Sequence, residues 1–234
     1  MAKTLQTYLA EQDASAIASF LDDDWCICAA TSASALEELA SQRGATAAAL
    51  PGYGREEAML VRRNGHAELW VRARRPVYTG PFLAFAREVC GFPIAAVPGR
   101  YNVDHLFSKG RVQTPTGLED DRLPVTTLVR MLLVDAGVNK SFGALMEGDM
   151  VGSGNANRPY RRFTYLQLVK ALSIDANIHG GGFGGPHLLA NIDYVVAELA
   201  RRGVLEKFRM DGAEMRLQLR TQAETVLHYR RLRA

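Results

Sequence analysis

The clearest local pattern of apolar and polar positions lies over residues 57–63 and 66–74, read as alternating segments on either side of Asn64-Gly65. A period of two predicts strands. Asn-Gly is the favoured two-residue hairpin turn, because both positions tolerate positive φ. The pattern therefore predicts a β-hairpin with Met59, Val61, Leu69 and Val71 on its buried face. Glu68 and the cluster from Arg72 to Arg75 read as exposed hairpin charges. Residues 5–9 and 14–21 predict Ala-rich helix, stopped by Asp22-Asp23-Asp24. Residues 25–29 are apolar and strand-like. Residues 34–43 predict a helix, with Ser34 as N-cap, Glu37 completing a capping box and Gly44 past the end. Residues 81–89 predict a short helix ending near Gly91.

The last third opens with a Gly/Asn/Ser loop at 152–157, and residues 163–172 then predict a helix. The run Gly180-Gly181-Gly182-Phe183-Gly184-Gly185 predicts a flexible loop. Residues 186–202 predict a longer helix, with Pro186 first, Gly203 after its end and an apolar stripe of Leu189, Ile192, Val196 and Leu199. Residues 204–210 and 214–219 predict a second hairpin across Asp211-Gly212. Helices followed by such a hairpin resemble a winged-helix DNA-binding module, which implies that Arg201, Arg202 and Lys207 contact nucleic acid.

The middle of the chain carries the chemistry. A strand from Tyr101 ends in Asp104-His105, a polar loop spans 110–123, and residues 129–135 form a second apolar strand. Asp135 then caps a helix over 136–148 that contains Val138-Asn139-Lys140-Ser141-Phe142-Gly143. Strand, loop, strand, helix is the ββα-metal layout. An Asp-His pair leaving the first strand, with an Asn early in the helix followed by a basic residue and Gly, resembles the HNH (ββα-metal) endonuclease family from Tyr101 to about Glu147. The resemblance implies phosphodiester hydrolysis with Asp104, His105 and Asn139 as catalytic residues. Asp104 and Asn139 offer hard oxygen ligands suited to Mg²⁺ or Mn²⁺. His105, with an intrinsic pKa near ~6.5, can take a proton from water. The free N–H groups at the helix start favour an anion near Asn139. Lys109, Arg111 and Lys140 flank the site and are candidate phosphate contacts. Arg130 stands where the family usually carries an Asn that fixes the loop bearing its His. It either anchors that loop by donating hydrogen bonds, contacts phosphate, or marks a decayed site. Neighbouring strand residues point to opposite faces, so Asp104 and His105 can share a site only if the strand twists or ends between them.

Composition narrows the classes. Of 234 residues, 47% are hydrophobic and 23% charged, as in globular proteins and unlike disordered ones. No apolar run is long enough to span a bilayer, and the N-terminal residues lack a secretory pattern. Cys26, Cys28 and Cys90 are too few for a disulfide framework. These features point to a cytoplasmic protein with no membrane partner. Residues 1–98 hold 9 Lys and Arg against 11 Asp and Glu, residues 99–150 hold 6 against 7, and residues 151–234 hold 13 against 7. A basic last third suits nucleic acid, DNA ahead of RNA. The expected fold class is α+β, in three parts: an N-terminal α+β layer over 1–98, an HNH-like core over 99–150 and a winged-helix-like region over 151–234. The expected function is a metal-dependent endonuclease. The alternative is a non-catalytic DNA-binding or regulatory protein on a degenerate HNH-like scaffold.

Overall fold

The computed structural model describes residues 2–22, 25–76, 78–107, 123–142 and 159–233, with side-chain surroundings through 228. The protein is α+β. The chain divides into two compact units, Met1–Leu133 with Gly152–Phe163, and Val134–Val151 with Thr164–Ala234.

The first unit is built on a sheet. Its strands are β1 (Ile27–Ala30), β2 (Thr46–Ala49), β3 (Ala58–Arg63), β4 (His66–Arg72), β5 (Tyr101–His105), β6 (Leu128–Asp135) and β7 (Tyr160–Arg162). The order is β2-β3-β4-β6-β1-β7, with β5 also paired to β6. β6 is central and buried from Leu128 to Val134, apolar throughout that stretch except for Arg130. β2 and β7 were not foreseen: β2 is a largely exposed Ala/Thr strand with no apolar alternation to mark it.

The hairpin forms at the expected turn, with Asn64 at φ 50° and Gly65 at φ 79°. Its faces differ from the expectation. The register sets Met59 opposite Trp70 and Val61 opposite Glu68, while Leu60 faces Leu69 and Ala58 faces Val71. Opposed residues share a face. Met59 and Val61 therefore lie with Trp70 and Glu68, and Leu69 and Val71 lie on the other side. Both faces are buried, so alternation did not reveal which side meets the core.

Helix α1 (Leu5–Leu21) runs unbroken where two segments were expected, because Ala10, Glu11 and Gln12 favour a helix and Asp13 alone does not break it. Thr4 caps it by accepting from Thr7 N at 3.2 Å. Helix α2 (Ala33–Gln42) is capped by Ser32, which accepts from Ala35 N at 3.1 Å, and not by Ser34. Leu36, Leu39 and Ala40 pack it onto Trp25, Ile27, Met59, Val61, Trp70 and Leu128. Each such fully buried aliphatic side chain contributes about 1.5–3 kcal/mol. Helix α3 (Thr79–Ala84) passes directly into a π-helical turn, Phe85–Val89.

The second unit is helical: α4 (Ala136–Phe142), α5 (Tyr165–Ala171), α6 (Leu188–Arg201), α7 (Val204–Phe208) and α8 (Gly212–Arg233). Thr164 and Gln167 form a reciprocal capping box at the start of α5. The expected second hairpin is absent. Residues 204–210 and 214–219 lie in α7 and α8 or the turn between them, so the winged-helix expectation fails. Met215, Leu219, Ala223 and Val226 are buried on α8, and their helical spacing prevailed over the short alternation read as a strand. Leu189 leaves the expected stripe of α6: it is 53% exposed, whereas Ile192, Val195, Val196 and Leu199 are buried.

The glycine run is not loose. Asn191 is fully buried and acts as its hub. Its Nδ2 donates to Gly180 O at 3.1 Å and Gly182 O at 2.8 Å, and its Oδ1 accepts from His179 N at 3.0 Å. Asn177 Oδ1 accepts from Gly182 N at 2.7 Å. A short 3-10 turn, Gly182–Gly184, results.

Candidate active site

Asp104 and His105 occupy the last two positions of β5, and both are buried. His105 Nε2 lies 3.7 Å from Asp104 Oδ1. The strand ends at His105, so the two side chains approach one another where a regular pleat would separate them. The sequence difficulty is resolved by that ending. Leu106 N donates to Arg130 O at 3.0 Å, which fixes the end of β5 against β6.

Tyr78 completes this cluster and was not foreseen. Its ring meets His105 edge-on at 6.0 Å, and its hydroxyl donates to Ala73 O. Burial pushes the phenol's pKa up; the negative charge of Asp104 adds to this, and Arg74 opposes it. Tyr78 thus feels both the Asp104 carboxylate and the Arg74 guanidinium, and Arg74 also lines a basic groove. That groove holds about 330 Å³ and is bounded by Glu57, Arg72, Arg74, Arg75 and Pro76. Arg75 pairs with Glu57 at 3.0 Å and stacks 5.3 Å over Tyr53. Arg72 Nε is buried with no hydrogen-bond acceptor among the described residues. Three guanidiniums face one carboxylate, so the groove favours an anion. The arginine cluster was visible in sequence; the contact of Tyr78 with His105 was not, because a lone tyrosine carries no signature.

Asn139 belongs to the second unit. It is half-buried on α4, and Lys140 beside it is exposed. Asp135 caps α4 as expected: its Oδ1 accepts from Gly137 N at 2.9 Å and Val138 N at 3.4 Å. Those N–H groups are therefore occupied by Asp135 and do not wait for an external anion. Gly143, Lys109 and Arg111 lie outside the described residues.

Arg130 departs from both expected roles. It is 1% exposed, its Nη1 lies 3.3 Å from Glu68 Oε1, and its Nη2 donates to Ser15 Oγ at 3.1 Å. Such a guanidinium holds the core of the first unit and does not meet phosphate at a surface. Glu68 is likewise buried, contrary to the reading of an exposed hairpin charge. Arg201 is exposed and forms two 2.8 Å bonds with Glu198, while Arg202 donates to Leu172 O at 2.6 Å. Lys207 is exposed on α7.

Among the described residues no group of three or more His, Cys, Asp and Glu could hold a metal ion. The Asp104–His105 pair supplies two donors of the kinds a hard divalent cation accepts. No helix among those residues is long and apolar enough to cross a membrane. Comparison with protein families, curated proteins and solved structures yields no match.

Proposed function

We propose that the protein is a metal-dependent endonuclease that hydrolyses phosphodiester bonds of nucleic acid, DNA ahead of RNA. The observation that carries this reading is the Asp104–His105 pair, 3.7 Å apart at the end of a strand paired to β6, which leads directly into α4. That connectivity matches the ββα layout the sequence resembles. Asp104 would hold a Mg²⁺ or Mn²⁺ ion, which when bound neutralises phosphate charge and polarises the phosphoryl group. The resemblance alone adds Asn139 as a ligand. Neutral His105 takes a proton from the attacking water as the new P–O bond forms and the bond to the leaving oxygen breaks. Tyr78 holds the imidazole plane from its edge. Arg72 and Arg74 attract the phosphate backbone through a salt-sensitive term. The free thiols of Cys26, Cys28 and Cys90 suit a reducing cytoplasm.

A second reading has its own support: a nucleic-acid-binding protein without catalysis. Arg130 is committed to Glu68, and the described residues hold no three-ligand group. Incubating supercoiled plasmid with Mg²⁺ or Mn²⁺ separates the two. The nuclease reading expects nicked and linear products that vanish with chelator. Binding without cleavage under every metal favours the second reading, and no binding at low salt removes both. Asn139→Ala is expected to raise the metal concentration needed for cleavage; an unchanged requirement removes Asn139 from the site.

A further inference from the structure

The first unit contains a cavity of about 310 Å³ between α1, the β3–β4 hairpin, β6 and the π-helical turn. Arg130 and Glu68 line it, with Ser15, Tyr8 and Cys90 among its walls. Arg130 is 1% exposed, and among the described residues its Nε and Nη1 have no hydrogen-bond acceptor. Nη1 has only the 3.3 Å ion pair with Glu68, outside hydrogen-bond geometry. Glu68 is already shared among Ser19, Trp25 and Trp70. A buried guanidinium carries five N–H donors, and leaving donors unmet costs about 1–3 kcal/mol each. Donors of this kind call for an acceptor inside the cavity.

The charges and walls describe that acceptor. Lys3 pairs with Glu11, and Arg130 pairs with Glu68. Arg62, exposed at the rim, leaves the lining one positive charge in excess. Phe85, Val89, Leu69 and Leu132 supply apolar surface. The π-helical turn Phe85–Val89 forms part of the wall, and such turns recur at binding sites. The volume lies at the small end of ligand pockets. We propose that this cavity binds a small monocarboxylate with an aromatic or branched apolar body, its carboxylate accepting from Arg130. The proposal does not depend on the nuclease reading.

The test uses benzoate and isovalerate as probes, with benzylamine as the cationic control. Thermal unfolding and tryptophan fluorescence are both read, because Trp25 and Trp70 bond to the carboxylate that pairs with Arg130. Saturable binding of a carboxylate with a raised Tm is expected, and no effect of benzylamine. Cys90→Trp, which fills the cavity from its rim, should abolish the shift while preserving the circular dichroism of the fold. Arg62→Gln should weaken binding by roughly fivefold, as the loss of one exposed charge does. Neither variant removes a partner of the buried pair, so both remain informative where Arg130→Gln would simply unfold. Absence of saturable binding to about 10 mM, a limit weaker than ~3 kcal/mol of affinity, overturns the proposal and leaves a cavity filled by water. An equal shift with benzylamine, or one that persists in Cys90→Trp, also overturns it.

Discussion

At the scale of single residues, the carboxylate of Glu68 carries more of the fold than any other charge described above. It receives Ser19 Oγ at 2.8 Å, Trp25 Nε1 at 3.2 Å and Trp70 Nε1 at 3.1 Å, and it pairs with Arg130. A buried ion pair adds little over an apolar pair of equal volume, but breaking one side strands a charge in the core. Glu68→Ala is therefore expected to cost about 3–5 kcal/mol in urea unfolding. The double change Glu68→Gln with Arg130→Met should recover most of that loss. Equal costs for the single and double variants would show that the charges themselves do not matter. Cys90 offers a second test. Burial raises its thiol pKa to about 11; Lys3 and Arg62 oppose this and Glu11 adds to it. The unfolded thiol ionises near 9. The folded state thus binds the proton more tightly, so this group's contribution is intact below the unfolded pKa and lost as pH rises through about 11. Because the thiolate is the reactive form, alkylation of Cys90 near neutral pH should run about 100-fold slower in the folded than in the unfolded chain. Peptide mapping after iodoacetamide measures it; equal rates would mean the thiol is not shielded.

At the scale of elements, what was legible had strong local chemistry behind it. The Asn64-Gly65 turn, the apolar run of β6 and the cap by Asp135 each follow from a few neighbouring residues. The errors came where tertiary contacts decide. Residues 204–219 carry both a short alternation and a helical spacing, and burial of Met215 and Leu219 selected the helix. The glycine run reads as loose only until Asn191 is known to be buried beneath it, fourteen-residue helix α6 bringing it there. A Cβ on Gly185 would stand 2.6 Å from Gly181 Cα, whereas one on Gly180 meets open space at φ +81°. Gly180→Ala should cost about 1 kcal/mol for its backbone, and Gly185→Ala about 1–3 kcal/mol for the clash. Urea midpoints compare them; a Gly185→Ala variant as stable as wild type would show that the two segments do not need this approach.

At the scale of the whole molecule, the sequence disclosed the α+β class. The chain passes between the two units at Leu133–Val134, Val151–Gly152 and Phe163–Thr164, and the first crossing falls inside β6, where no glycine or proline marks it. Asp104 and His105 were legible as a pair because their residue types and their place at a strand end both carry meaning. Tyr78 was not, since its closeness to His105 comes from the tertiary fold and not from the order of the chain. Arg130 was visible as a departure, but only burial showed that its partner is Glu68. The account rests on His105 acting as the base for phosphodiester cleavage. The most direct measurement is the single-turnover cleavage rate of a DNA duplex, with Mg²⁺ or Mn²⁺, by the wild-type protein and by His105→Ala at matched binding. The account predicts cleavage by the wild type and a fall of about 10²–10⁴-fold in the variant, with affinity for the duplex retained. An unchanged rate in His105→Ala, or a wild-type protein that binds DNA and never cuts it, would contradict it.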